Sequence, residues 1–295
     1  MKYNLSLSII FLLCSIGAAQ EPTRSQQLGR SVAELYQNGK YDEAIPIAEE
    51  IVGLERKAAT VRNLVSALEN LAELKIARFK RLIAEFNAGA IVPDAIKDSL
   101  AKLNGGAESA EKNLREAIEL ADRDAIGPAE QRAAIRSNLA WLLYHYQPND
   151  PELVIAFDKT GRDKFEMRSR ARYQERIGEA ANLYRQASKI AQEADPKSNT
   201  ALLTTYKFAE FALANGDLED AIQLLETSIA DVERIYGPKS ASIVQPLELY
   251  IKALTATGQD ALAFDALSRL VRVTGKSAEI SKDPVNISYR ADKVF

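Results

Sequence analysis

Apolar residues recur along most of the chain at intervals of three and four, the spacing of one helical face. The pattern is punctuated by a phrase that occurs nearly unchanged twice, "QNGKYDEAI" at 37–45 and "ANGDLEDAI" at 214–222. Both copies follow an amphipathic helical stretch, with Val32 and Leu35 before the first and Ala209 and Ala212 before the second. A glycine just past a helix end takes up a left-handed conformation at little cost and stops the helix. The paired acids, Asp42-Glu43 and Glu219-Asp220, then suit the positive end of a new helix dipole. Ala44 and Ala221 follow, small enough for two helices to approach closely. The phrase therefore predicts a helix–turn–helix hinge, and its recurrence predicts a chain of stacked helical hairpins.

Looser copies extend the pattern. "TGQDALA" at 257–263 sets Gly258 and Ala263 at the same separation, and Ile251 and Leu254 precede it. "GGAESA" at 105–110 sets Gly105 and Ala110 likewise, and "RIGEAA" at 176–181 keeps Glu179-Ala180 with Gly178 closer. After each alanine a face continues four and seven residues on: Ala48 and Ile51, Leu114 and Ala117, Tyr184 and Ala187, Leu225 and Ser228, Leu267 and Leu270. The order of glycine, aromatic or leucine, alanine and a further large residue resembles the tetratricopeptide repeat (TPR) family over 25–58, with Gly39, Tyr41 and Ala44, and over 202–235, with Ala209, Gly216, Leu218, Ala221 and Leu225. The step from Gly216 to Gly258 is 42 residues, against about 34 in the standard repeat. With "IYGPKS" at 235–240 and "IGPAEQ" at 126–131, the C-terminal spacing is similar to the repeats of kinesin light chains.

The resemblance implies an all-α fold of tandem hairpins in a right-handed, TPR-like superhelix. The expected hairpins cover about 25–56, 58–123, 128–194, 199–235 and 241–273. Insertions are expected near 89–104 and 148–172, within a repeat domain over 20–275. The last twenty residues, 276–295, change period: Val285, Ile287 and Tyr289 alternate with polar neighbours beyond Pro284. This predicts an extended tail with strand character and no evident partner for the strand.

Composition alters the picture at the N-terminus. Lys2, the apolar run "LSLSIIFLLCSI" and the small residues Gly17 and Ala19 predict a secretory signal peptide over 1–19, cut after Ala19. A cut before Cys14 would want a small residue where Leu13 stands. Export to a periplasm or beyond the cell is the expectation, with no transmembrane segment in the mature chain. Cys14 is the single cysteine, so the mature chain would hold neither disulfide nor thiol chemistry. The net charge is −3, which argues against a nucleic-acid partner. The basic stretch 158–176 also carries four acids and is expected to be a solvated helix extension.

Candidate chemistry is sparse. His145 is the one histidine, and no phosphate-binding glycine loop, nucleophile elbow or zinc-ligand spacing occurs. No catalytic residue, metal or cofactor is expected. The densest aromatic group is Trp141, Tyr144, His145 and Tyr146. It has two readings: core packing, or anchors on the first helix of a hairpin, the helix that lines the concave groove in TPR proteins. With Ala140 set against the small residue of the family's first helix, Trp141, Tyr144 and His145 face that groove. The same frame places Tyr206 and Glu210 there on the next hairpin and Glu248 and Lys252 on the last. The resemblance implies an exported scaffold, not an enzyme, that binds a protein or peptide in the groove. The alternatives are a repeat module of a larger cell-envelope machine, such as an energy transducer or an assembly protein, and more remotely a helical hydrolase.

Overall fold

The computed structural model describes residues 23–87, 93–123, 126–146, 171–275, 278–280 and 287–289, with 86–87, 93–104, 171–173 and the last two segments described by backbone only. The expected signal peptide over 1–19 and most of the insertion expected near 148–172 lie outside these residues. Ten α-helices are described: α1 (Arg24–Gln37), α2 (Tyr41–Ala58), α3 (Val61–Asn87), α4 (Pro93–Arg123), α5 (Ala129–His145), α6 (Ala171–Ala194), α7 (Asn199–Asn215), α8 (Leu218–Tyr236), α9 (Val244–Ala256) and α10 (Asp260–Thr274). A 3₁₀ turn over Ala241–Ile243 leads into α9. The chain is an all-α, TPR-like array of hairpins, with helix ends within a turn of those expected. It divides into two compact units, 1–180 and 181–295, and α6 contributes residues to both.

In the first unit α1 packs on α2, α2 on α3, α3 on α4 and α4 on α5. In the second, α7 packs on α8, α8 on α9 and α9 on α10. The hinge glycines behave as the phrase predicts. Gly39, Gly216 and Gly258 take φ of +69°, +88° and +73°. In each case the next amide reaches back five residues to a helix carbonyl: Lys40 N to Leu35 O at 2.8 Å, Asp217 N to Ala212 O at 2.9 Å, and Gln259 N to Leu254 O at 2.9 Å. This closes the old helix, and the new one starts at once. Its first amides have no side-chain cap in α2, α8 or α10, so acids in the first turn supply the compensating charge.

Two of the looser copies turn out differently. Gly105 and Gly178 lie inside α4 and α6 and end no helix. The face that follows them is nevertheless as expected, since Ala110, Leu114 and Ala117 are buried, as are Ala180, Tyr184 and Ala187. A mid-helix glycine costs about 1 kcal/mol. A continuous apolar face packed along the 27-residue α3 outweighs that in α4. Residues 93–104, within the expected insertion, form the first turns of α4.

The tail also departs from expectation. Ile287–Tyr289 does form a strand, but it is not without a partner: it pairs antiparallel with Ala278–Ile280, setting Ala278 against Tyr289 and Ile280 against Ile287. The expectation overlooked "AEI" at 278–280 because three residues are too short a run to show a period.

The core of each unit follows the alanine register. Ala44, Ala110, Ala180, Ala221 and Ala263 are all at most 1% exposed. In the second unit they lead to a cluster of Ile229, Val232, Ile243, Leu247, Ile251, Leu254 and Leu270. Outside the core, arginine–glutamate pairs join consecutive second helices. Arg56 bonds both oxygens of Glu116 between α2 and α4, at 2.8 and 2.6 Å. Arg115 bonds both oxygens of Glu179 between α4 and α6, at 2.6 and 2.9 Å. In the second unit Arg269 pairs with Glu233 between α10 and α8. These pairs are partly exposed, so they set register more than they add stability.

Replacing Ala221 with leucine should overpack the α7–α8 hinge and lower stability by ~1–3 kcal/mol in denaturant unfolding. A variant with wild-type stability would show that the two helices do not meet at this residue.

Candidate functional site

The aromatic group is built where α5 meets α3. Within α5, Leu139, Ala140, Leu142 and Leu143 are buried, which turns Trp141, Tyr144 and His145 toward the helix margin, where each is half-buried. The core reading thus holds for Tyr146, which is buried, whereas the three candidate residues keep contact with solvent. Trp141 and His145, one turn apart, approach to 4.3 Å between ring centroids. Tyr144 meets His145 edge-on at 4.8 Å.

Two residues of α3 complete the group, and neither was among the candidates. Phe79 is buried and meets the edge of Trp141 at 6.1 Å and of Tyr146 at 6.0 Å. Lys80 is exposed, and its Nζ lies 4.2 Å from the Trp141 ring centroid. A cation over an indole face is a favourable contact worth about 0.5–1 kcal/mol at exposed sites. The signal for both was present, since "RFKR" lies toward the end of the first helix of the preceding hairpin, but only packing shows that α3 and α5 bring them together.

Electrostatics distinguish His145, the last residue of α5, from Tyr146, which caps it. Burial, together with the nearby positive charge of Lys80, lowers the His145 pKa to about 4. The imidazole is therefore neutral at physiological pH, and its polarity there comes from a ring nitrogen rather than a charge. Tyr146 is buried, and its hydroxyl donates to Glu108 Oε1 at 3.1 Å. Burial foremost, and the Glu108 carboxylate next, hold its phenol well above the usual tyrosine range. Tyr146 thus ends α5 as an anchor to α4, not as a recognition group.

The remaining candidates lie in the second unit. Tyr206 on α7 and Glu248 on α9 are half-buried, and Glu210 on α7 is exposed. Burial, then the carboxylates of Glu210 and Glu248, push the Tyr206 hydroxyl up, so the structure brings these three together. Lys252, also half-buried, stands one turn beyond Glu248 on α9. The candidates therefore form one cluster in each unit. Among the described residues no group of His, Cys, Asp and Glu is placed to hold a metal ion. No described helix is long and apolar enough to cross a membrane.

Comparison with known proteins agrees with this architecture. A kinesin light chain of Podosopora anserina with nearly identical TPR-like repeats is similar over 87% of this chain and 98% of its own, at 18% identity and a TM-score of 0.56. A point-substituted form of that protein matches at the same identity and TM-score, over 97% of its own length. BtubC (BKLC) from P. vanneervenii aligns over 84% of this chain and 91% of its own, at 15% identity and a TM-score of 0.45. No family model and no curated protein matches the sequence. At 18% identity the likeness to the P. anserina protein establishes the TPR-like fold alone.

Since His145 is the one histidine in the chain, its ring protons give an unobstructed NMR titration. The midpoint should lie near 4, and Lys80→Ala, which removes a neighbouring positive charge, should move it upward. A depressed histidine pKa makes stability fall as pH drops from about 6.5 toward 4, because the unfolded chain takes up the proton first. A midpoint near 6.5 in the wild type would show that the ring is solvated.

Proposed function

We propose that the chain is an exported, non-enzymatic scaffold that binds a protein or peptide on the first helices of its hairpins. The observation that carries this reading is the half-buried cluster of Trp141, Tyr144 and His145, flanked by Lys80. Large aromatic rings held at a helix margin bury much area on binding at little entropic cost, and such residues dominate interface energetics. Trp141 is already packed against Phe79 and His145, and His145 against Tyr144, so a partner would have little to order. Tyr206, Glu210, Glu248 and Lys252 form a second contact area whose charges set specificity and association rate more than affinity. The TPR-like fold supports a protein partner, because stacked hairpins offer their first helices as an extended binding surface. Export rests on Lys2, the apolar run and the small residues before Gln20.

The test is capture from the envelope fraction with the mature chain, followed by titration of the purified partner. The wild type should bind, and Trp141→Ala, shown to be folded by circular dichroism, should weaken binding by ~2 kcal/mol or more, roughly thirtyfold in Kd. A folded variant that binds as well as the wild type removes the aromatic cluster from the site. The exported chain should begin at Gln20 by mass spectrometry, and retention of residues 1–19 would overturn the export reading.

A further inference from the structure

One carboxyl group stands apart from the surface charges. Glu69 on α3 faces α5 and is 3% exposed. Its Oε2 accepts a hydrogen bond from Gln131 Nε2 at 2.8 Å, and the same nitrogen lies 2.9 Å from Ser66 Oγ. The partner is an amide, and no lysine or arginine is among the groups that act on this carboxyl. The Gln131 amide lies close against Gly127: a Cβ there would come within 2.7 Å of its Oε1. Gly127, at φ +88°, both turns the chain into α5 and leaves room for the amide.

The charged groups around this contact do not neutralise it. On α3, Glu73 stands one turn on and adds like charge. On α2, Asp42, Glu49 and Arg56 pair with Arg78, Lys75 and Glu116, and Glu55 is buried. On α4, Glu108 accepts from Tyr146, Glu111 pairs with Arg115 and Arg176, and Asp122 with Arg136 of α5. On α5, Glu130 and Arg132 flank Gln131 in the first turn. The N-terminus of α5 adds a partial positive charge, too little to balance a full buried carboxylate.

We propose that Glu69 and Gln131 form a pH-sensitive clasp between the second and third hairpins: α3 is held to α5 while the carboxyl is protonated, and loss of the proton weakens the clasp because one amide hydrogen bond, although stronger to a carboxylate, does not offset the cost of burying the charge. The clasp joins the two helices that carry Phe79, Lys80, Trp141 and His145, and it stands whether or not those residues bind a partner. Burial pushes the Glu69 carboxyl up to about 8; the Gln131 bond acts in the opposite direction, and Glu73 adds to the rise. When α3 and α5 separate, the carboxyl meets water and returns to its ordinary value near 4.5. A group whose folded pKa is raised contributes stability that is fully present below the open-state value. That contribution is lost progressively as pH rises from about 4.5 to about 8.

Hydrogen exchange of the amides in 129–136, corrected for the intrinsic pH dependence, reads the opening directly in the full chain. In the wild type the opening constant should rise by about a hundredfold or more between pH 5 and pH 9. In Glu69→Gln, a neutral mimic of the protonated acid, it should stay flat. Parallel behaviour of the two proteins, or a flat wild type, overturns the proposal. Should Glu69→Gln fail to fold, glutamate-labelled wild-type protein decides by carbon-13 NMR. A carboxyl titrating near pH 8 upholds the clasp, and titration of every glutamate below pH ~6 overturns it.

Discussion

Everything in this molecule rests on how closely two helices of a hairpin can approach, and one alanine in each hairpin sets that distance. Ala44, Ala110, Ala180, Ala221 and Ala263 have essentially no solvent exposure. Each is followed by a buried face four and seven residues on, so the contact continues along the helix instead of stopping at a point. A larger side chain there would push the helices apart, and close-packed interiors absorb such a shift poorly. The glycine turns serve the same end. By ending one helix and releasing the next within three residues, Gly39, Gly216 and Gly258 leave each hairpin little freedom to splay.

Such an architecture puts its polar groups at risk wherever first helices meet. Between α3 and α5 the structure buries an acid, Glu69, and half-buries the imidazole of His145. Desolvation disfavours the charged form of both, with opposite consequences for pH. The histidine resists gaining a proton and the glutamate resists losing one, so the same helix pair is challenged from the acid side by one residue and from the alkaline side by the other. Ionic contacts on the second helices are of another kind: Arg56–Glu116 and Arg115–Glu179 are bidentate and partly solvated. They align neighbouring helices without the desolvation cost that a buried pair carries.

Much of the fold was legible in the sequence because it is written locally. Helical period, the glycine that stops a helix and the acids that start one act over a few residues, so the hinges at 37–45 and 214–222 and the buried faces beyond them follow from the residue pattern alone. Of the candidate site, Trp141, Tyr144 and His145 could be singled out because they are close together on one helix; that the leucines between them are buried is shown by the packing. What could not be seen was which faces meet. Phe79 and Lys80 lie some sixty residues upstream of Trp141 and look like an ordinary helix end. Glu69 reads as one more surface carboxylate.

The sequence by itself determined the helical period, the hinge turns and the small residue at each close approach, since these are choices of backbone conformation and side-chain size made within a few positions. Only tertiary structure decided the rest. Gly105 and Gly178 show this most directly: the first has the spacing of the hinge glycines and the second stands in a looser copy of the phrase, yet each remains helical. For Gly105 the physical reason is on the neighbouring element: α3 packs along α4, and burial of Ala107, Ala110, Leu114 and Ala117 beyond the glycine exceeds the roughly 1 kcal/mol the glycine costs. The same packing decides the environment of Glu69, whose carboxyl is perturbed because α5 covers it, a circumstance that no local pattern around residue 69 records.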